Sequence, residues 1–562
     1  MKHARAARIT TGAVALVLAA CTAPPPPAPP LAAARPGTLA ACSELAGFSH
    51  RQTQIDSATL VPAGTLTVGG TPIGEHCLVN GRANERTSTV DGQTYAIGFQ
   101  MRLPRQWNGR FFHQGNGGLD GFVQPAVGLV GGGGELSNAL QQGFAVLSSD
   151  AGHNVRQLPL FGRDPEARLD YGYRAVGTLT PLARSLIAAA YGRPPDRSYF
   201  GGCSNGGRHA MVAAARYAAD YDGFLAGNPG FNLPKAALAQ LAGAQRYAGL
   251  ATSSDLASAY TPAERQLVAA SVNARCDALD GASDGIVGDT AACQRAFDVQ
   301  RDVPTCSGAR NGSCLSAAQK DVLAQVFTGV TDSSGQRVYA PFPFDPGIAG
   351  SDWASWKFVS SVTNRDPVAV AFVFQTPPAE PAAAADPRAF ALGYDLTRGL
   401  ASIGTRNALY TESSVEFMTP PGDTNLAPMA ARGGKLVVYH GAADGVFSPL
   451  DTTAWYERLQ ARSSGDAAAY ARLFVVPGMN HCRGGPATDQ FDMLSPLVAW
   501  VEQGQAPERV VARARGAGSV APNPELPAGW AHDRTRPLCP YPQVVRYKGT
   551  GDIDRAENFV CR

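Results

Sequence analysis

Charge is scarce in this sequence: Asp, Glu, Lys and Arg make up 17% of its 562 residues, and the formal net charge is +2. No run of Lys or Arg interleaved with aromatics is present, so the electrostatic footprint of a phosphate-backbone binder is missing and nucleic acid is excluded as a partner. No repeat of solenoid length is visible. The N-terminal apolar stretch Gly12–Ala20 is too short to span a bilayer. Glycine (62) and proline (42) are abundant but follow no period, which excludes a collagen-like chain and suits a loop-rich globular fold. What is there is length: 562 residues exceed one core of ordinary size, so two domains or one large domain carrying an insertion are expected, and the insertion is preferred.

Lys2, Arg5 and Arg8 precede that apolar stretch and give residues 1–20 the form of an export signal. Leu18-Ala19-Ala20-Cys21 resembles a bacterial lipobox, which would lipidate Cys21; plain secretory cleavage is the alternative. The expected location is therefore periplasmic or outer-membrane-anchored, or else secreted. Pro24 to Pro30 would stiffen a tether over 21–38, because proline fixes φ and favours extended polyproline geometry. Setting Cys21 aside leaves ten of the 11 cysteines, an even number for an oxidising compartment, so disulfides are expected rather than free thiols. Sequence proximity suggests Cys276 with Cys293, Cys306 with Cys314, and Cys539 with Cys561. Cys42, Cys77, Cys203 and Cys482 remain.

Arg197-Ser198-Tyr199-Phe200 reads as a strand, Gly202-Cys203-Ser204-Asn205-Gly206 as a tight turn, and Arg208 to Tyr217 as a helix. G-x-S-x-G alone is weak, but strand, turn and helix together are what a nucleophile elbow requires, with glycines allowing the sharp turn that exposes the hydroxyl. A helix N-cap serine would need no further partners. A serine hydroxyl attacks only when a histidine takes its proton and a carboxylate holds that histidine. Asp444 follows the strand Lys435–His440, and His481 follows the strand Arg472–Val476, giving the order Ser, Asp, His of an α/β-hydrolase. A surface-loop histidine and an Asx-turn aspartate are the plain alternatives. Cys203 precedes Ser204 and Cys482 follows His481, so bringing serine and histidine together brings these cysteines to bonding distance; Cys42 then pairs with Cys77. Oxyanion donors are expected from the N–H groups of Asn205 and of Gly118, in the glycine-rich loop after the strand beginning at Arg110.

Long strings strengthen this reading: Gly202–Arg208 (G-C-S-N-G-G-R), Cys276–Val287 (C-D-A-L-D-G-A-S-D-G-I-V), Pro477–Pro486 (P-G-M-N-H-C-R-G-G-P) and Arg536–Tyr541 (R-P-L-C-P-Y). In them the chain resembles the tannase and feruloyl esterase family, most of all its bacterial branch acting on monoesters of terephthalate. The resemblance implies an α/β-hydrolase catalytic domain over 39–230 and 423–562, interrupted by a lid domain over 231–422. It implies Trp356 and Phe447 as substrate contacts, although both would also serve as core aromatics. Asp277, Asp280 and Asp284 cluster hard oxygens on one loop, which is calcium chemistry, and the resemblance adds the carbonyls of Ala282 and Ile286. A solvated acidic turn is the alternative. Two departures stand out. The lid segment Lys357–Pro377, with Arg365 as its single arginine, is shorter than the branch's carboxylate-binding segment, and Gly117 replaces a bulkier polar residue.

The expected function is serine ester hydrolysis of small aromatic esters, with terephthalate monoesters first, feruloyl esters second and galloyl esters third. A catalytically silent lipoprotein binding aromatic ligands is the competing class. A structural calcium ion is expected, no organic cofactor, and no protein partner is indicated.

Overall fold

Parallel strands covered on both faces have to be apolar throughout, and the runs Gly223–Gly227 and Lys435–Gly441 are buried at every position. They belong to a nine-stranded sheet in a computed structural model that describes residues 1, 29–129, 137–463 and 465–562. Its strands are β1 (Thr53–Val61), β2 (His76–Thr87), β3 (Thr94–Pro104), β4 (Arg110–Gly115), β5 (Ala145–Ser149), β6 (Arg197–Cys203), β7 (Gly223–Gly227), β8 (Lys435–Gly441) and β9 (Ala471–Val476). In space they run β1-β2-β3-β5-β4-β6-β7-β8-β9. Neighbours from β5 to β9 are parallel; the β1, β2, β3 and β5 end is antiparallel. The exchanged places of β4 and β5 and the parallel run beyond them are the α/β-hydrolase order, so the expected fold class holds.

The helices used below are α1 (Ala175–Tyr191), α2 (Asn205–Arg216), α3 (Leu233–Ala248), α4 (Pro262–Cys276), α5 (Ala317–Thr328), α6 (Pro449–Arg462) and α7 (Leu494–Gln503). One face of the sheet is covered by α1, α2 and α6 through residues such as Leu186, Met211 and Trp455, and the other by α7 through Leu497, Trp500 and Val501. Between β7 and β8 no described residue joins the sheet; the insertion is helices and loops. Its helices start on strong local signals: Thr261 and Glu264 form a capping box with Pro262 at the first helical position of α4, and Ser316 and Gln319 do the same for α5. The insertion has its own apolar core, continuous with Phe161, Tyr171, Val446 and Phe447 of the sheet's loops.

Five disulfides form in the expected pairs, with Cα separations of 5.5 Å for Cys42–Cys77, 6.1 Å for Cys203–Cys482, 5.1 Å for Cys276–Cys293, 5.0 Å for Cys306–Cys314 and 5.4 Å for Cys539–Cys561. In the alanine-rich segment 378–391 a 3-10 turn covers Pro381–Ala384 and a helix starts at Pro387 and runs to Gly393, capped by Asp386. One expectation is corrected. The segment 21–38 is no free tether at its end, because Leu31 donates to the Val501 carbonyl, Ala34 to Glu502, and Gly37 pairs with Trp107. Cys21 and residues 2–20 of the expected signal lie outside the described residues.

Candidate active site

At the end of β6 the chain reverses into α2 through Ser204, whose φ of 66° lies in the left-handed region that L residues avoid. The turn is possible because of glycine at two neighbours. A Cβ on Gly202 would come within 2.3 Å of the Gly115 carbonyl oxygen, and one on Gly206 within 2.2 Å. The elbow is thus pressed against the end of β4, whose following loop is the expected oxyanion loop. A Cβ on Gly117 would lie 3.9 Å from the Ser204 Cβ, so this loop passes over the serine.

Asp444 sits in the turn after β8, wholly buried, with Oδ1 accepting from the amides of Val446 (2.8 Å) and Phe447 (3.0 Å). Its Oδ2 faces His481 Nδ1 at 2.8 Å, Asn228 Nδ2 at 2.7 Å and His440 Nε2 at 3.2 Å. Burial alone would raise this carboxyl, but His481 and His440 beside it hold it well below the usual carboxylate range. With Nδ1 committed to Asp444, His481 is left with Nε2 as its basic atom. That atom is buried and has no hydrogen-bond partner among the described residues, so the serine–histidine hydrogen bond is not closed in this structure. The Cys203–Cys482 bond nevertheless ties the two loops together. Ser204 and His481 are each 9% exposed, so little of either side chain reaches the surface.

The insertion reaches the histidine directly. Trp356 meets the His481 ring edge-on at 5.1 Å between centroids, and Phe447 does so at 5.4 Å. Trp356 is half-buried, whereas Phe447 is fully buried. Asp352 accepts from the Trp356 indole at 3.1 Å and from the His481 amide at 3.3 Å, joining the two. The Arg365 guanidinium lies over both rings, 4.9 Å from Trp356 and 5.4 Å from Phe447, and pairs with Asp366. Burial pushes the Asp366 carboxyl up to about 6, against the pull of Arg365 and Lys357. Lys357 itself is buried with Nζ 3.7 Å above the Phe342 ring, and burial pulls it down to about 7 although Asp444 and Asp366 oppose this.

The oxyanion loop carries Gly118 at φ 66° and Asp120 at φ 54°. Tyr171 donates to the Gly118 carbonyl (3.0 Å), and Asn205 donates its side-chain amide to Asp120 Oδ2 (2.8 Å). Burial pushes the Asp120 carboxyl up to about 8, with Arg208 acting against it.

Away from this centre, Asp277, Asp280 and Asp284 lie on one loop closed by Cys276–Cys293. Burial raises Asp280 and Asp277, and the like charge of Asp284 adds to both. Asp277 accepts from the amides of Asp284 and Gly285, Asp280 from that of Ala282, and Asp284 pairs with Arg536. Among the described residues no three acids, histidines or cysteines stand in metal-holding geometry.

The sequence missed Asn228, His440, Asp352, Asp120 and Arg208 as site residues. His440 carried a signal, being a histidine four positions before the acid at a strand's end. Arg208 stood inside a string already singled out, and Asp120 two residues after the expected oxyanion glycine Gly118.

A family model described as tannase and feruloyl esterase matches residues 77–562. The chain is 39% identical to a mono(2-hydroxyethyl) terephthalate hydrolase of Piscinibacter sakaiensis, over 91% of this chain and 88% of that protein. It is 29% identical to a probable feruloyl esterase B-2 of Aspergillus flavus, over 76% and 78%. Its fold matches the crystal structure of feruloyl esterase B from Aspergillus oryzae with a TM-score of 0.73 at 24% identity, covering 93% and 99%.

Proposed function

This chain belongs to the tannase and feruloyl esterase family and is a carboxylic-ester hydrolase, and on that premise we propose that Ser204, His481 and Asp444 cleave esters of a small aromatic acid through an acyl-enzyme. Ser204 Oγ attacks the ester carbonyl while His481 Nε2 takes its proton. The tetrahedral oxyanion is held by the amides of Asn205 and Gly118, and the alcohol leaves with the proton from His481. Water, activated by the same nitrogen, then releases the acid. The observation that carries this reading is the seating of His481: Nδ1 on a buried, ionised Asp444, and its loop bonded by Cys482 to the residue before Ser204.

For the acyl group, the Arg365 cation above Trp356 and Phe447 favours an aromatic acid with a second, free carboxylate, such as the terephthalate monoester named for the bacterial relative. Its pairing with Asp366 favours the second reading, an uncharged hydroxycinnamoyl ester. Comparing kcat/KM for mono(2-hydroxyethyl) terephthalate, its methyl diester and methyl ferulate separates these. Arg365→Gln should lower the first by roughly 10–100-fold and spare the others, in line with the loss of one charged hydrogen-bonded contact. An unchanged ratio removes the carboxylate reading, whereas near-normal turnover by Ser204→Ala removes the catalytic assignment itself.

A structural calcium ion is the second part of the proposal. The carboxylates of Asp277, Asp280 and Asp284 do not by themselves stand in metal-holding geometry, and Asp284 pairs with Arg536; only together with the carbonyls of Ala282 and Ile286 would they make a hard-oxygen set of the kind that suits calcium, which supplies no step of the reaction. The region 231–422 is read as the lid over the acyl site. Export is supported by the five disulfides, which persist in an oxidising compartment; lipidation at Cys21 remains part of that proposal.

A further inference from the structure

The two donors assigned to the oxyanion come from chain segments far apart in sequence: the Gly118 loop after β4, and Asn205 at the start of α2. The elbow packs on Gly115 at the end of β4, but Gly118 lies three residues beyond that contact, and the elbow itself does not fix its distance from Asn205. In this fold one side-chain hydrogen bond does, from Asn205 Nδ2 to Asp120 Oδ2 at 2.8 Å, with Asn205 1% and Asp120 4% exposed.

Each end of that bond is itself anchored. Asn205 Oδ1 accepts from both Nε (2.9 Å) and Nη2 (2.6 Å) of Arg208, one turn further along α2 and fully buried. Arg208 in turn donates to the carbonyls of Tyr171 (3.0 Å) and Gly172. Both carbonyls belong to Asp170–Arg174, a single π-helical turn ahead of α1. The same turn supplies Tyr171, whose hydroxyl donates to the Gly118 carbonyl at 3.0 Å. The circuit therefore leaves the donor residue Asn205, passes through Arg208 and Tyr171, and returns to the donor residue Gly118 at the carbonyl that follows its N–H. His153 adds a bond from its Nε2 to the Leu119 carbonyl at 2.8 Å.

We propose that Asp120 and Arg208 are positioning residues that fix the separation of the two oxyanion donors, Asp120 by bridging to Asn205 and Arg208 by locking Asn205 and the π-turn in register. Neither touches substrate. Their effect appears only where charge develops on the ester oxygen, and loss of a single oxyanion donor costs on the order of 100–1000-fold in kcat. Displacing a donor should cost part of that.

This inference rests on the oxyanion assignment above, and the experiment separates the two. Asp120→Ala, Asn205→Ala, the double variant, Asp120→Asn and Arg208→Lys are compared for kcat and KM on a nitrophenyl ester. Binding of an arylboronic acid, which forms a tetrahedral adduct on the serine, and of benzoate, which does not, is measured alongside. Asp120→Ala and Asn205→Ala should each lower kcat by roughly 10–100-fold with KM within about threefold, and the double variant should lose no more than the worse single one. Boronate affinity should fall in parallel while benzoate affinity stays, and Asp120→Asn, which keeps an acceptor for Asn205, should recover most of kcat. Arg208→Lys keeps the charge but not the two-pronged grip and should resemble Asp120→Ala. Additive losses, or an unchanged boronate affinity in a folded Asp120→Ala protein, overturn the positioning role. If Asp120→Ala does not fold, Asp120→Asn against Arg208→Lys decides alone: equal kcat in both overturns it. A parent protein that binds no boronate would instead remove the oxyanion reading beneath it.

Discussion

Lys357 carries a cost that the residues around it only partly offset. Its ammonium is buried above the Phe342 ring and 3.4 Å from the Gln240 side-chain oxygen, and burial pulls its pKa down from the ordinary lysine value to about 7. Between about pH 7 and the unfolded lysine value the unfolded chain holds the proton that the folded one has released, so stability contributed at this site rises with pH. Below pH 7 the penalty of a buried charge is fully present. Lys357→Met should therefore raise the melting temperature most at pH 6, on the order of 1–2 °C for each kcal/mol in a chain this long, and the gain should shrink towards pH 10. Melting curves of both proteins at pH 6, 8 and 10 check this, and a gain independent of pH contradicts it. Nothing in the string Trp356-Lys357-Phe358 announces such a lysine; a helix turn that buries it is a tertiary decision. Ser204, Asp444 and His481 were legible because each follows an apolar strand, and a strand's C-terminal end is where this architecture exposes side chains.

Among elements, the elbow and the histidine loop depend on one cross-link. Ser204 and the cross-linked Cys482 both have positive φ, at 66° and 68°, a conformation that costs an L residue about 1–2 kcal/mol. The Cys203–Cys482 bond, across 279 residues of sequence, holds the two strained turns face to face. Replacing both cysteines by alanine avoids a stray thiol. It should lower activity by roughly 10–100-fold, since a displacement of about 1 Å at reacting groups costs that much. It should also lower stability, by up to about 5 kcal/mol in the chain-entropy model. Full activity with an unchanged melting temperature would mean that the strands alone set the geometry. Here the sequence was informative: two cysteines each adjoining an expected triad residue predicted the bond. The π-turn at Asp170–Arg174 was not legible, because its residues D-Y-G-Y-R carry no mark that separates a widened turn from a regular one.

At the scale of the molecule, the acidic loop 277–286 joins the insertion to the C-terminal segment. Arg534 and Arg536 reach the Asp284 carboxylate, Trp530 donates to the Asp284 carbonyl at 2.9 Å, and Arg546 donates to the Leu279 carbonyl and to Asp289. A calcium ion bound only in the folded loop stabilises by mass action, so chelation should lower the melting temperature by a few degrees while kcat at room temperature stays within about twofold. Asp280→Ala should melt like the chelated protein. Unchanged melting together with no metal released would make the aspartates a plain acidic turn. Local chemistry by itself determined a great deal about this protein: the apolar runs that had to be buried strands, the glycines that permit an elbow, the order serine, aspartate, histidine, and the cysteine pairs. The strands and the elbow are properties of a few adjacent residues, set by sterics and periodicity, and the triad order and cysteine pairs follow from where those local patterns fall along the chain. Only the tertiary structure decided that His440 and Asn228 share Asp444, that Arg365 lies over Trp356 and Phe447, that residues 31–38 dock on the catalytic part, and that Asp120 meets Asn205. Apart from His440 with Asp444 and Arg365 with Trp356, which lie within ten residues of each other, such pairs join positions tens to hundreds of residues apart, and which of many polar residues meet depends on how packed layers bring their loops together, a condition that no local pattern encodes.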